Sequence, residues 1–598
     1  MAKSLKSTRI IEVAWEVCNQ VGGIYTVIRS KVPDMKYQWK DNYSVIGPYF
    51  DNNTEFEDEV NENDPLYQTV KILQNEGIDA HYGTWLISGR PKAVLLNPKS
   101  AFDKLDEIKF DLWDNHDIKF EQHDDLLDQV ISFGYLVYRF NSILEAIKTD
   151  KKQTIVHFHE WMAGVAIPMM RKDNLPTKIV FTTHATLLGR YLAMNDPNFY
   201  ERLEWTDWEK EAKYFNIHSQ VKIERAATHG AHIFTTVSKI TGLECKYLLH
   251  REPDELLPNG LNVSRYEALH EFQNLHATYK KKIEEFIRGH FFPSYSFNLD
   301  KTLYFFTSGR FEFKNKGFDL TLEALARLNA KIKDAGIDLT VVMFFITKKP
   351  TSSINVDLLH SRSILEELRH TCDAIESEVS EKLFNYATTN QSHNIPELGE
   401  FIPDYWRLRY KRTLQSWKSH KLPPIVTHNL VDEENDDLMN FMKTLHLFNR
   451  EEDRVKIVYH PDFVNFTSPL FGMEYGQFVR GCNMGIFPSY YEPWGYTPLE
   501  CLVRGVPSIT SDLSGFGDYV IDNVPKITDN GVYVTKRKGK PFHESAEQLA
   551  DQMFDFINLS RRDRIQQRNF VESFSEEFDW KTLITYYKKA YKKALTVE

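Results

Sequence analysis

Cysteine is scarce in this chain. Cys18, Cys245, Cys372, Cys482 and Cys501 are the only five in 598 residues, odd in number, scattered, and without metal-ligand spacing. That pattern excludes a disulfide-stapled secreted domain and a cysteine-based zinc site. Missing too is any uninterrupted apolar run of the roughly 20 residues that a membrane span needs, so no membrane partner is expected. Basic residues are not in excess: 73 Lys and Arg stand against 84 Asp and Glu, a net charge of −11. Binding to nucleic acid by counterion release needs a basic face, so no nucleic-acid partner is expected, whereas a neutral polymer is compatible. The Asp-x-Asp pair that often holds a divalent ion occurs nowhere. Met1 to Arg9 run directly into the strand-like Ile10-Ile11-Glu12-Val13 without an apolar signal segment, which predicts a reducing, cytoplasmic setting.

What the chain does contain is a repeated alternation of short apolar runs and helical spacing. Thr154 to His159, Lys178 to Thr183 and His232 to Ser238 are nearly continuous apolar stretches ending in polar residues, the pattern of strands buried on both faces of a parallel sheet. A strand to about Val17 precedes them, with a helix after Gly22-Gly23. Leu256 to Asn262 reads as a strand ending in a Pro-Asn-Gly turn, a hinge into a second unit. The alternation then resumes at Thr302 to Arg310, Leu339 to Ile346, Arg454 to Tyr459, Met484 to Phe487 and Gly505 to Thr510. Two successive βαβ series predict an α/β fold of two doubly wound, Rossmann-like domains facing across a cleft. The expected division is 1–262 and 263–578, with a charged helical insertion over about 351–420 and a last helix over 579–598 returning to the first domain.

Open α/β sheets bind ligands at the C-terminal ends of their strands. On that rule His159, Glu160, His184 and Arg190 gather at one edge. Gly22 and Gly23 permit close backbone approach beside Gln20. In the second unit Arg310 and Lys316 flank a glycine-rich strand-to-helix loop, a phosphate-binding pattern. The stretch from Gly485 to Glu500 places Tyr490, Tyr491, Glu492, Trp494 and Gly495 between a strand and a helix predicted to start at Leu499, after Thr497 and Pro498. A carboxylate at Glu492 has no helix to cap and is costly to bury without a task. Glu500 has a second reading, a capping box with Thr497. Arg561, Arg564 and Arg568 share one helical face, a row that repels itself unless an anion or acidic partner meets it.

Glu492-x7-Glu500, in the wording Tyr-Tyr-Glu-Pro-Trp-Gly-Tyr-Thr-Pro, resembles the donor-binding signature of retaining glycosyltransferases of the GT-B fold, and specifically that of the eukaryotic glycogen synthases, glycosyltransferase family 3. The stretches His-Phe-His-Glu-Trp at 157–161, Thr-Thr-His-Ala-Thr-Leu-Leu-Gly-Arg-Tyr at 182–191 and the Gly309 to Gly317 loop extend the resemblance over essentially the whole chain. It implies retaining transfer of glucose from UDP-glucose to the non-reducing end of an α-1,4-glucan, without a metal cofactor. Glu492, His184, Arg310 and Lys316 would be catalytic. Gln20, Gly22, Gly23, Arg190, Tyr475, Trp494, Gly495, Tyr496, Thr497 and Glu500 would bind the donor, Tyr475 by stacking on uracil. Either Glu492 attacks the sugar, or leaving group and acceptor meet on one face while Glu492 and His184 stabilise the sugar cation.

The resemblance further implies an effector, glucose 6-phosphate, with Arg564 and Arg568 on its phosphate and His270, Gln273, Asn274, His276 and Lys280 completing the pocket. It implies a homotetramer built by the insertion, with glycogen and a glycogenin-like priming protein as partners. Some positions depart from the family pattern: Gln20 replaces a cation, Asn483 stands where His is usual, and Phe570 and Ser573 cut short the family's longer arginine row. Gln20 keeps open a non-catalytic glucan-binding or scaffolding relative, or an α-glucan synthase using another donor.

Overall fold

The computed structural model describes residues 5–50, 54–120, 124–263, 272–389, 395–524 and 531–597. It contains two large sheets, each covered by helices. The strands of the first are β1 (Arg9–Ala14), β2 (Tyr43–Pro48), β3 (Phe56–Asp58), β4 (Ala80–Trp85), β5 (Lys92–Leu96), β6 (Thr154–His159), β7 (Lys178–Thr183), β8 (Ile233–Thr236) and β9 (Glu255–Leu256). Their order is β3-β4-β5-β2-β1-β6-β7-β8-β9, parallel except where β4 joins β3 and β5. The antiparallel edge is an addition to the expected parallel series. The first strand ends at Ala14, short of Val17.

The second sheet contains β10 (Thr302–Ser308), β11 (Thr340–Ile346), β14 (Val455–His460), β15 (Met484–Ile486), β16 (Ser508–Ser511) and β17 (Val532–Thr535), in the order β14-β11-β10-β15-β16-β17 and parallel throughout. A separate antiparallel pair, β12 (Thr351–Ile354) and β13 (His428–Leu430), brackets the insertion. The apolar runs explain the layering: Phe305, Phe306, Val341 to Phe345 and Ile457 to Tyr459 are all buried, alternate residues feeding the helical layers above and below. Between the bracketing strands, helices Val356–Thr389 and Asp404–Trp417 project outward. Of the long helix only Leu358 and Thr371 are buried, while Phe384, Tyr405 and Leu408 lie exposed. Among the described residues no helix is long and apolar enough to cross a membrane.

The terminal helix Trp580–Thr596 packs on the first sheet. Trp580 is fully buried and its indole Nε1–H donates to Ser30 Oγ at 2.8 Å, while Tyr587 lies under the Lys31 ammonium at 4.1 Å. Deeper in the helix, Tyr591 reaches His157 at 2.8 Å. The chain therefore closes over its own beginning. Replacing Trp580 by Ala removes a large buried ring at the head of this helix and is expected to cost ~3–5 kcal/mol. Urea denaturation followed by far-UV and fluorescence signals checks this, a loss under about 1 kcal/mol contradicting the docking described.

Candidate active site

Both sheets share one topology. Starting from β1, the strands β5-β2-β1-β6-β7-β8 follow the same order as β14-β11-β10-β15-β16-β17 around β10. In each, the order reverses beside the first strand, and such a reversal opens a crevice at the carboxyl ends. The loops after β1 and β6 therefore face the loops after β10 and β15.

In the second domain the crevice is formed by two loops zipped together. The amides of Tyr490 and Tyr491 donate to the Asn315 carbonyl at 2.9 and 3.2 Å, and those of Gly515 and Phe516 donate to the carbonyls of Glu492 and Trp494 at 3.0 and 2.7 Å. Gly317 is required where these loops touch: its φ is 71°, and a Cβ there would lie 2.2 Å from the Pro488 carbonyl oxygen. Held in this way, Lys316 Nζ meets Glu492 Oε2 at 2.5 Å. Thr307, Ser308, Thr497 and Ser514 share their pocket. Tyr475 stands half-buried at its wall, its hydroxyl 2.6 Å from Ser308 Oγ. Arg310 is not brought to this pair. It lies on the same loop with its side chain 75% exposed and 3.2 Å from Glu312.

The helix expected from Leu499 begins earlier, at Tyr496, with Gly495 as its cap at φ 105°. Thr497 is thus inside the helix and no Thr497–Glu500 capping box forms, because the left-handed glycine has already turned the chain. Burial raises the Glu500 carboxyl, opposed by Arg504. Trp494 packs among Val237, Leu499, Phe516 and Phe578, a seam between the domains rather than an open ring face. Tyr496 packs partly against the core under the terminal helix.

The opposite wall comes from the first domain. Glu16 accepts from the amides of Gly22 and Tyr25 at 2.7 and 2.9 Å, which shapes the exposed turn carrying Gln20, Gly22 and Gly23 into the helix Gly23–Trp39. Glu160 accepts from the His184 and Ala185 amides at 2.9 and 3.2 Å. Burial depresses the His184 imidazole to about 3, aided by Lys31 and His157, so it is neutral. Arg190 opens onto the cleft and sits in the field of Tyr491, Glu160, Glu312 and Glu244, residues of both domains. The domains also touch directly: Tyr491 donates to Glu244 at 3.4 Å, Ser238 Oγ donates to the Pro493 carbonyl at 3.0 Å, and Lys239 pairs with Asp522.

A family profile described as glycogen synthase matches residues 12–597. The chain belongs to the glycogen synthase family. It is 44% identical to a glycogen [starch] synthase of Neurospora crassa, over 99% of this chain and 84% of that one. It is 41% identical to the human liver glycogen [starch] synthase, over 97% and 82%. Among solved structures, the catalytic domain of starch synthase IV from Arabidopsis thaliana, bound to ADP and acarbose, superposes with a TM-score of 0.52 at 13% identity, covering 98% of this chain and 99% of that one, which shows the shared two-domain GT-B fold.

A basic cluster also lies in the second domain of this glycogen synthase family member. Arg568, on helix Arg561–Phe574, is buried and its guanidinium is held down to about 9, by burial and then by Arg480. Arg480 is itself lowered by burial and by Arg504. His276 stands beside them, its Nδ1 2.8 Å from the Arg480 carbonyl oxygen and its pKa pushed to about 3 by burial, Arg568 and Lys280. Lys280 pairs with Glu284 at 3.4 Å. Other expected members have different places. Arg564 donates to the Leu559 carbonyl at 2.6 Å, closing the preceding helix. Asn483 pairs with Tyr304 through both its amide N–H (2.7 Å) and its side-chain oxygen (2.9 Å), bracing β10. Asn274 is exposed. His270 lies outside the described residues, as does the side chain of Gln273. Arg480 and Arg504 carried no motif in the sequence, and only the packing identifies them.

Glu160, named from the sequence, is joined at the cleft wall by two buried acids that sequence reasoning missed, Glu224 and Glu244. Burial raises Glu160 to about 7, Glu224 to about 8, with Glu160 adding to it, and Glu244 to about 7. Each is therefore protonated in the fold at a pH where the unfolded chain has released the proton. Stability contributed by these groups falls as pH rises through about 7 to 8, by at most ~1.4 kcal/mol per pH unit for each. The depressed histidines add no slope there, because they are neutral in both states above about pH 7. Melting temperature is expected to decline between pH ~7 and ~8, with Glu224→Gln flattening the decline. A melting temperature that is level or rises across that range contradicts this assignment.

Proposed function

We propose that this chain transfers glucose from UDP-glucose to the non-reducing end of an α-1,4-glucan, with retention of configuration. The observation that carries this reading is the Lys316–Glu492 pair at the reversal point of the second sheet, facing His184 and Arg190 on the first. Breaking the sugar–phosphate bond leaves positive charge on the anomeric carbon and negative charge on the departing diphosphate. An ammonium and a carboxylate already in contact answer both. When diphosphate enters, Lys316 moves its charge onto phosphate oxygens and Glu492 is released toward the sugar. Arg310, exposed on the same loop, turns inward onto the diphosphate, and the backbone at Gly495 to Thr497 adds N–H donors. Gln20, Gly22 and Gly23 close over the donor from the other side, Tyr475 takes the uracil, and neutral His184 with Glu492 stabilises the sugar.

Fixed cations supply the charge that a divalent ion supplies elsewhere, so no metal is part of this reading. Purified chain is expected to incorporate labelled glucose from UDP-glucose into glycogen, and to keep its rate in EDTA. Lys316→Ala is expected to lower kcat by ~10²–10³. Loss of turnover in EDTA with recovery on adding magnesium overturns the reading, and an inert parent that still binds glycogen favours a scaffold.

The Arg480, Arg504 and Arg568 cluster supports glucose 6-phosphate as effector, because three guanidinium groups crowded together gain from a phosphate dianion. The exposed apolar residues of the insertion support self-assembly into a homotetramer, acting on glycogen in the cytoplasm from chains supplied by a glycogenin-like primer. Added glucose 6-phosphate is expected to raise both rate and melting temperature, and Arg568→Ala to abolish both responses. No response in the parent excludes the effector.

A further inference from the structure

Beneath the cleft, at the centre of the first sheet, lies a buried polar network that the transfer reaction described above does not use. Its hub is Glu12, in the middle of β1 and without exposure to solvent. Lys31 Nζ donates to its Oε1 at 2.7 Å, and the Tyr43 hydroxyl donates to its Oε2 at 2.7 Å. Burial alone would favour a neutral acid, yet Lys31 and the neighbouring imidazoles hold the carboxyl well below its usual range, so Glu12 is an anion. The ligand atoms of Glu12, His157 and His159 lie within 4.8 Å of one another, a spacing that could suit a metal. A cation is already there, however: the Lys31 ammonium occupies the carboxylate.

The protons of this network can be followed atom by atom. The Thr235 hydroxyl donates to the Phe181 carbonyl at 3.1 Å, so its oxygen accepts from the Thr182 hydroxyl at 2.6 Å. The Thr182 oxygen must then accept from His157 Nε2–H, also at 2.6 Å, which leaves His157 Nδ1 bare to accept the Tyr591 hydroxyl at 2.8 Å. His157 is thereby fixed as one tautomer. His159, its ring 4.2 Å from that of His157, turns Nε2 toward Glu12 Oε1 at 3.7 Å and Nδ1 toward His184 Nε2 at 3.1 Å.

One proton lies between His159 and His184, and the two possible placements differ in charge. If His159 Nδ1 held it, the bare Nε2 lone pair of His159 would face a buried carboxylate with no other partner. If His184 Nε2 holds it, His159 Nε2 carries a hydrogen that points at the Glu12 anion, which at 3.7 Å is an electrostatic attraction and not a hydrogen bond. In a low-dielectric interior the anion selects the second arrangement. His184 Nδ1, buried and without a hydrogen-bond partner among the described residues, is then a bare acceptor.

We propose that Glu12 and His159 are positioning residues that hold His184 as its Nε2–H tautomer, so that Nδ1 accepts a hydrogen bond from a hydroxyl of the transferred sugar. This rests on the reading of His184 as a residue of the transfer site. It adds that the acceptor character of His184 is set two residues away in the network, by a carboxylate that never meets substrate.

The tautomer is tested on the full chain without substrate, labelled with 15N-histidine, His184 being assigned by the resonances lost in His184→Gln. The expected two-bond 1H–15N pattern gives His184 a protonated Nε2 and a bare Nδ1. The opposite pattern overturns the proposal. A charge-balanced variant, Glu12→Gln with Lys31→Met, checks the cause once its circular dichroism and melting confirm folding. His184 is expected to become a mixture of tautomers, and kcat to fall by ~10- to 100-fold while KM for UDP-glucose stays within about 2-fold. An unaltered His184 pattern in the folded variant overturns the role of Glu12. If that variant does not fold, His159→Phe gives the same two readouts. Because the spectrum needs no turnover, a parent that transfers no glucose would refute the transfer reading and still leave the tautomer measured.

Discussion

The buried pair of Glu12 and Lys31 is the interaction on which the first domain is assembled. One partner is in the central strand, the other in the first helix, and both are completely sealed from water. Two desolvated charges are costly to keep apart and only tolerable in contact with further hydrogen bonds. Tyr43 from the neighbouring strand supplies one, and the terminal helix closes the site with Tyr591, whose oxygen lies 3.3 Å from Glu12 while its hydrogen goes to His157, and with Tyr587, whose ring lies under the Lys31 ammonium. Strand, helix and chain terminus are thus committed to one geometry, because any of them leaving would expose or orphan a charge. Apolar packing around Trp39, Trp580 and Leu583 adds stability without that directional demand.

The crevice follows from the same economy of polar groups. Its walls are strand ends, where backbone donors and acceptors are no longer used by the sheet, and each wall spends them on a carboxylate or on the facing loop. Glu160 and Glu16 take amides of their own domain, while Glu492 gives its carbonyl to Gly515 and its carboxylate to Lys316. Tyr490 and Tyr491 carry an apolar contact across to Phe199 and Leu192, with their hydroxyls on Glu201 and Glu244. The domain seam is therefore part apolar and part hydrogen-bonded acid, and burial raises the Glu244 carboxyl there, which eases close approach.

Much of this was legible in the residues, and what was not has a common cause. Runs such as Thr302 to Ser308 and Lys178 to Thr183 are buried on both faces, and their continuous apolar character states that directly. The edge hairpin was hidden because Ala80-His-Tyr-Gly-Thr-Trp85 mixes polar residues and glycine within a strand that is nonetheless buried against two separate core clusters. The helix beginning at Tyr496 was placed three residues late, since its true start is decided by Gly495 against Ser514 and Phe516, contacts distant in sequence. Glu12, Glu224 and Glu244 look like ordinary acids because their partners lie up to 579 positions away. Arg564 and Asn483 were legible as polar groups on the correct elements, but their hydrogen bonds to Leu559 and Tyr304 belong to backbone that no spacing rule reveals.

On the proposed reading, the charge balance of the crevice explains why its two most important charges are found together. A lone Lys316 between two sheets would repel Arg190 and Arg310, and a lone Glu492 would leave a partly desolvated anion without a counter-ion. Paired, they neutralise each other and keep the loops in register through Gly317 and Pro488. The incoming diphosphate then competes for an ammonium that already has a partner, so some attraction is surrendered on binding. The gain appears at the step that matters: the carboxylate is released only when phosphate has displaced it, and therefore beside a sugar whose leaving group is already held. A crevice with a permanently free carboxylate would repel the donor it must accept, whereas this exchange frees the Glu492 carboxylate from its counter-ion only after the donor has entered.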